Sequence, residues 1–183
     1  MNRVIPIRGR PPPRKFELCR GQAIGPPEEM AQMFQLDSTA TLQPPDFALG
    51  CQLRSISADE LTTAVRFAVQ AIQCHEGWVH GYFDDLIHKQ ELFGLWSNEQ
   101  LIATGECRVS QLQPPCADVG MVVSPDHRGQ GHAANILRWL VQQCWEKGLN
   151  PICSTESGNL AAQRAIRNAG FVAYHRIMKF QLA

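Results

Sequence analysis

The segment from Ser124 to Leu140, SPDHRGQGHAANILRWL, places two glycines one residue apart between an arginine and an apolar, periodic run. Glycine costs conformational entropy unless its position needs close approach or an unusual backbone angle. Successive N–H groups at the start of a helix, together with the positive end of the helix dipole, bind phosphate groups. Residues 128–133 therefore predict an anion site made of backbone, to which Arg128 adds positive charge.

Two common phosphate motifs do not fit this segment. A Walker P-loop needs Lys-Ser or Lys-Thr after its last glycine, and neither follows here. The dinucleotide fingerprint GxGxxA is met by Gly129, Gly131 and Ala134, but residues 124–128 separate the glycines from the preceding strand. No acidic residue stands about twenty positions further on to hold a ribose. The third pattern, R-x-x-G-x-A, is met by Arg128, Gly131 and Ala133.

The elements around this segment predict a mixed α/β fold. Apolar residues recur at helical spacing after the glycines, and Gly148 stands where a left-handed cap would end that helix. Ser57 and Glu60 have the spacing of a capping box at an earlier helix, and residues 97–99 suit a hairpin turn. The predicted order is β, α, α, a β-meander, α, β, α, β.

Composition narrows the class of protein. The 183 residues have no net charge, so a whole-protein field for nucleic acid or an anionic membrane is missing. No stretch approaches the length of a membrane span. The seven cysteines form no CxxC pair, which is typical of reduced thiols in a cytoplasm. The histidines of HEGWVH at 75–80 are five apart and cannot share one helical face, so no metal is predicted.

Proline content divides the chain into two parts. Residues 1–50 hold eight of the twelve prolines and are predicted to be a basic, proline-rich arm or extension rather than a core, with KFELC at 15–19 as one short strand candidate. Residues 51–183 have the patterning of a globular domain.

A second motif gives the sequence a resemblance to a known family. NLAAQRAIRNAGF carries Asn159, Ala162, Gly170 and Phe171, and it follows the R-x-x-G-x-A pattern by about thirty residues. With both motifs in this order, residues 50–182 resemble the GNAT superfamily of acyl-CoA N-acyltransferases. The resemblance implies a GNAT-like fold in which the strands at 117–123 and 151–155 run parallel and splay apart.

The resemblance also implies acetyl-CoA as the cofactor and a set of residues that would bind it. The pantetheine arm would pair with β-strand backbone in the splay, and the N–H of Val122 would donate to the acetyl oxygen. The expected cofactor-binding residues are Met121, Val122, Val123, Arg128, Gly129, Gln130, Gly131, His132, Ala133, Asn159 and Ala162.

The implied reaction is acetyl transfer to a primary amine, of a small molecule or a peptide. The amine must lose a proton, and Glu106 is the first candidate for the base, with Asp118 second and His75, His80 and His175 as further options. Either carboxylate could instead form a surface ion pair. Many members carry a tyrosine at the position of Ile166, so Tyr174 is the candidate acid.

The acceptor is less constrained by the sequence. The region around Trp78 and Tyr82 would cover the acceptor, where Asp84 and Asp85 could hold a cationic amine beside aromatic walls. A homodimer is one option for assembly. The alternative function is a non-catalytic module of the same fold that binds coenzyme A or a protein partner in a regulatory role.

Overall fold

The computed structural model describes residues 28–37 and 41–179, and within them the chain forms one mixed sheet and four α-helices. No helix in this part of the chain is long and apolar enough to cross a membrane. The strands are β1 (Glu28–Leu36), β2 (Cys51–Ser55), β3 (Leu92–Ser97), β4 (Gln100–Val109), β5 (Cys116–Val123), β6 (Asn150–Glu156) and β7 (Phe171–Lys179). The helices are α1 (Leu61–Ile72), α2 (Glu76–His88), α3 (His132–Glu146) and α4 (Leu160–Asn168).

The seven strands lie in the order β2-β3-β4-β5-β6-β1-β7. Every neighbouring pair is antiparallel except β5 and β6, which are parallel. The connection between these two parallel strands is α3, as a crossover within one sheet requires. The predicted mixed α/β fold, with parallel strands at its centre, is confirmed.

The helices cover the two faces of the sheet. One buried cluster joins the sheet to α3 and α4 through residues such as Leu137, Leu140 and Ile166. A second buried cluster joins it to α1 and α2, for example through Val65 and Phe83. The domain therefore has three layers, and the middle of the sheet is covered by helices on both sides.

The local signals in the sequence correspond to observed turns and caps. Asn98 and Glu99 have φ angles of 47° and 64°, which makes the β3–β4 connection a two-residue hairpin turn of the left-handed kind. Gly148 has a φ of 68° and follows α3, as predicted. The N–H of Ser57 donates to Glu60 Oε2 at 3.0 Å, so the carboxylate half of the capping box is formed.

The expectation that residues 1–50 lie outside the core does not hold for residues 28–36. These residues form β1, which pairs with β6 on one side and β7 on the other, and Phe34 is completely buried. The prolines before and after this strand are typical of a linker, and the prediction followed them. The nine residues of the strand instead pair with β6 along one edge and with β7 along the other. Residues 1–27, including the strand candidate at 15–19, lie outside the described residues.

Candidate active site

The two glycines of the opening motif lie between β5 and α3 in left-handed conformations. Gly129 has a φ of 78° and Gly131 a φ of 83°. A Cβ atom at Gly129 would meet nothing within 4 Å, and at Gly131 it would meet only the amide nitrogen of Asn135 at 4.0 Å. The glycines are therefore required by the backbone angle, and the space in front of them is open.

Several backbone N–H groups in this loop are free hydrogen-bond donors. Among the described residues, the N–H groups of Gly129, Gln130 and Gly131 have no hydrogen-bond acceptor. The first N–H groups of α3, from His132 onwards, add the unpaired donors that every helix start leaves. Residues 129–133, here called the anion loop, thus combine free N–H groups with the positive end of the helix dipole.

The side chain of Arg128 points away from this open space. Its Nη2 donates to the carbonyl of Ala71 at 3.1 Å, and its Nε donates to the carbonyl of Val123 at 3.3 Å. Ala71 lies in the last turn of α1, where a cation also complements the helix dipole. The guanidinium therefore ties α1 to the end of β5, and its expected contact with a diphosphate remains a prediction.

The parallel strands separate after a short paired stretch. β5 and β6 pair at Cys116–Asn150, Ala117–Pro151 and Asp118–Ile152, and their pairing then stops although β5 continues to Val123. On its other edge, β6 pairs with β1 from Ile152 to Glu156. The predicted splay is thus present, and it leaves a slot between the two central strands.

The β4–β5 ladder decides which backbone groups of β5 point into that slot. Ser124 donates its N–H to Ile102 of β4 at 3.0 Å, and the register of the two strands is continuous from there. Backbone groups along a strand alternate between its two neighbours, so Val122 is directed to β4 and Met121 and Val123 to the slot. The expectation that Val122 supplies the oxyanion donor does not fit this register, since the N–H groups directed to the slot are those of Met121 and Val123.

The other expected cofactor residues lie at the starts of α3 and α4. His132 and Ala133 begin α3, and the His132 side chain is buried, which together with nearby His127 lowers its pKa. Asn159 is the N-cap of α4, where its side-chain oxygen accepts from the N–H of Ala162 at 3.1 Å. The spacing of these two residues is thereby explained as a helix cap. Their roles towards a cofactor stay predictions.

A cavity of about 310 Å³ lies on the face of the sheet that α1 and α2 cover, between these two helices and strands β4 and β5. Glu106 of β4 lies in its wall, directly across from Gly120 of β5. A Cβ atom at Gly120 would lie 2.6 Å from Glu106 Oε1. The absence of a side chain at Gly120 therefore lets the carboxylate of Glu106 lie over β5.

Glu106 belongs to a cluster of four polar side chains. The hydroxyl of Tyr82 donates to Glu106 Oε2 at 2.5 Å, and Arg108 Nε lies 3.5 Å from Glu106 Oε1. Arg108 Nη2 forms a tighter pair with Asp118 Oδ2 at 2.6 Å. Glu106 is thereby held from two sides, by a neutral phenol and by a guanidinium that it shares with Asp118.

Burial shifts the pKa of two groups in this cluster, Asp118 and Tyr82. Burial raises the pKa of Asp118 to about 6; Arg108 opposes this shift and Glu106 adds to it. Burial, then the charge of Glu106, also raises the pKa of Tyr82, so this phenol is a donor at neutral pH. Glu106 lines the cavity whereas Asp118 does not, so the first candidate base lies in the cavity wall. Asp118 is outside that wall and pairs with Arg108, which does line the cavity.

The sequence matches the model of the acetyltransferase (GNAT) family over residues 55–171, which is more than half of the chain. The chain belongs to the GNAT family.

Solved structures agree with this assignment. An acetyltransferase of the GNAT family from Colwellia psychrerythraea is 38% identical, with a TM-score of 0.79 over 87% of this chain and 58% of its own length. A GCN5-related N-acetyltransferase from Sphaerobacter thermophilus gives 14% identity and a TM-score of 0.70, over 86% and 52%. This chain thus spans little more than half the length of either protein. No curated protein matches the sequence significantly.

A third GNAT structure, aminoglycoside N-acetyltransferase AAC(6')-Iy in complex with CoA, shares the fold at a TM-score of 0.62. It is 15% identical and is covered over 93% of its length by 72% of this chain.

Tyr174 is not brought together with the other two catalytic candidates. It lies on β7, an edge strand separated from β5 by β6 and β1, and its side chain is largely exposed. Since neighbouring strands are about 4.8 Å apart, β7 is about 14 Å from β5. Ile166, at the position where many GNAT members have a tyrosine, is buried in the core.

Two side chains that contact Glu106, Tyr82 and Arg108, are not among the catalytic candidates that the sequence predicts. Tyr82 was noted only as part of the acceptor region, and nothing in the sequence links α2 to β4 at the level of single atoms. Arg108 could have been found, because it follows Glu106 by two residues on one strand and must share its face.

Proposed function

We propose that this GNAT protein transfers an acetyl group from acetyl-CoA to a primary amine. One observation carries the proposal. β5 borders the anion loop and the slot on one side, and its residues Met121 and Val122 also line the cavity that holds Glu106. A cofactor held along β5 and an amine held in the cavity would therefore meet at the same strand.

The residues present fit coenzyme A. The free N–H groups of the anion loop suit its diphosphate, since such donors at a helix start bind phosphate without a cationic side chain. The backbone of Met121 and Val123, which faces the slot, suits the amide groups of a pantetheine arm. When bound, acetyl-CoA supplies a thioester whose C–S bond breaks as the C–N bond of the product amide forms.

The chain's own groups account for charge and proton movement. Glu106 takes one proton from the ammonium group so that the neutral amine can attack. The N–H of Met121 or Val123 donates to the acetyl oxygen while negative charge develops on it. The second proton of the amine leaves with the thiolate, and the proton on Glu106 passes to solvent. No acid is required at the position of Ile166.

Tyr82 and Arg108 position the base in this scheme. A carboxylate on a flexible chain has several rotamers, and two partners on opposite sides restrict it to one. Asp118 balances the charge of Arg108, so that Arg108 does not neutralise Glu106 completely.

The six cysteines of the described residues are free thiols, which supports the expected cytoplasmic location.

A non-catalytic module is the second candidate function, and Ile166 favours it, because the thiolate lacks the donor that many family members have. The two are separated by measuring acetyl-CoA binding by calorimetry and free-thiol release across a panel of primary amines. An enzyme binds acetyl-CoA and releases thiol only when an acceptor is present. Binding without release on any amine would favour the regulatory module.

A further inference from the structure

The walls of the cavity that holds Glu106 are mostly apolar. Side chains from α1 and α2, among them Ile72, Val79 and Phe83, face Leu92 and Met121 of the sheet. The volume of about 310 Å³ is at the lower end of the range for small-molecule sites. A cavity of this size and lining suits one compact apolar group rather than an extended chain.

Only two charged side chains of the described residues line the cavity, and they lie next to each other. Among the described residues, Glu106 is the one carboxylate in its wall, and Arg108 is the one cation. A ligand with several positive charges would find a single anionic partner and would meet the guanidinium of Arg108. The cavity therefore selects against polycations.

The aspartates of α2 do not change this balance. Asp85 is paired with Lys89 at 2.6 Å, and Asp84 lies 3.4 Å from His88, and all four side chains are substantially exposed. Neither aspartate lines the cavity. The expectation that Asp84 and Asp85 hold a cationic amine beside the aromatic residues gains no support from the cavity lining.

Two aromatic rings form the mouth of the cavity. Trp78 and Tyr82 stack with their ring centroids 5.2 Å apart and their planes 13° from parallel. Trp78 is 60% exposed although it lines the cavity, and Ile72 beside it is 48% exposed. An exposed indole held flat by a neighbouring ring offers a face to an aromatic or aliphatic group, and the same face attracts a cationic amine.

We propose that the acceptor is a small primary monoamine with an apolar or aromatic body. The body packs against Trp78 and the apolar walls, and the single ammonium group lies beside Glu106. This inference rests on the proposed acetyl transfer and adds to it the chemical class of the acceptor.

The first test compares two amines of opposite character with acetyl-CoA as donor. 2-Phenylethylamine has one ammonium group on an aromatic body, and spermidine has three cations on an aliphatic chain. We expect the kcat/KM from thiol release to be at least about a hundredfold higher for 2-phenylethylamine. Spermidine lacks the ring contacts, and its second charge would be unpaired in the cavity. A higher value for spermidine would overturn the proposal.

A tryptophan variant tests where the ring binds. Trp78→Ala should raise the KM for 2-phenylethylamine about tenfold, the effect of losing one aromatic contact, with little change in kcat. Trp145→Ala is the matched control, because Trp145 is similarly exposed, at 54%, but lies near the end of α3 and outside the cavity. Equal KM values in the two variants would contradict binding against Trp78.

A binding measurement separates this inference from the proposed function. 2-Phenylethylamine and spermidine are each titrated calorimetrically into the protein saturated with coenzyme A. If no amine releases thiol but 2-phenylethylamine binds and Trp78→Ala weakens that binding, the acceptor class stands and the catalytic proposal fails. If spermidine is acetylated and 2-phenylethylamine neither reacts nor binds, catalysis stands and the acceptor class fails. If neither amine binds or reacts, the proposed class is wrong.

Discussion

The anion loop and the cavity that holds Glu106 lie on either side of β5 but are built from different materials. The loop consists of backbone: two left-handed glycines, free N–H groups and a helix start. The charged side chain of Arg128, the residue before the loop, is turned away. The cavity is lined by residues from five elements, and its central hydrogen bond joins Tyr82 of α2 to Glu106 of β4. A site made of backbone restricts which residue types can occupy its positions. A site made of side chains depends on how the elements that carry them, here α2 and β4, pack against each other.

The variant with the largest expected effect disrupts the backbone site alone. Gly131→Val requires a β-branched residue at a φ of 83° and places its side chain in front of the free N–H groups. At least two charge-assisted hydrogen bonds to a diphosphate should be lost, which corresponds to more than a hundredfold weaker acetyl-CoA binding. The affinity is measured by calorimetry on protein shown to be folded by circular dichroism.

Gly148→Val is the matched control for this prediction. Gly148 also has a positive φ and open space, but it lies after the C-terminus of α3. Both variants should lose comparable stability from backbone strain. If they bind acetyl-CoA equally well, Gly131 serves only the turn and the backbone site is wrong.

Glu106→Gln is the corresponding test of the cavity. We expect kcat to fall about a hundredfold, the usual effect of removing a general base, with acetyl-CoA affinity unchanged. Glu146→Gln, on the exposed end of α3, controls for the loss of one charge. A variant that keeps the wild-type rate and pH–rate profile would direct attention to Asp118, the second candidate base.

Arg128→Ala sharpens the contrast between backbone and side chain. Since the guanidinium bonds to two carbonyl groups, its loss should lower the free energy of unfolding by about 1 kcal/mol. Acetyl-CoA affinity should fall less than about fivefold, because only a longer-range attraction is removed. Thermal unfolding and calorimetry check the two values. An affinity loss as large as that of Gly131→Val would show that the arginine side chain contacts the diphosphate.

The smallest effect concerns Asp118 and pH. Its pKa of about 6 in the folded protein lies above the ordinary value of about 3.9, so the unfolded chain releases this proton first as pH rises. The contribution of Asp118 to stability is therefore lost between about pH 4 and 6. The side chain is 33% exposed, and after allowing for solvent screening we expect a loss of about 1 kcal/mol. Asp118→Asn should lack this slope in denaturant titrations, and parallel curves would contradict it.

The same contrast explains what the sequence could predict. Glycine spacing, an amphipathic run and a following cap located the anion loop, because each reports a local backbone requirement. The β4–β5 register, by contrast, directs the N–H of Val122 to β4 and those of Met121 and Val123 to the slot, and no local sequence pattern predicts a register. Tyr82 and Glu106 are 24 positions apart, and their hydrogen bond exists only because α2 packs across β4.

The position of β1 has a consequence for how the domain is made. Among the described strands β1 comes first in the chain, yet it lies between β6 and β7, which come last. During synthesis, both edges of β1 therefore lack these partners until residues 150–179 have followed. Such long-range pairings raise the contact order and slow folding. We therefore expect β1 to be captured late by β6 and β7, and until then its unpaired edges are open to other chains.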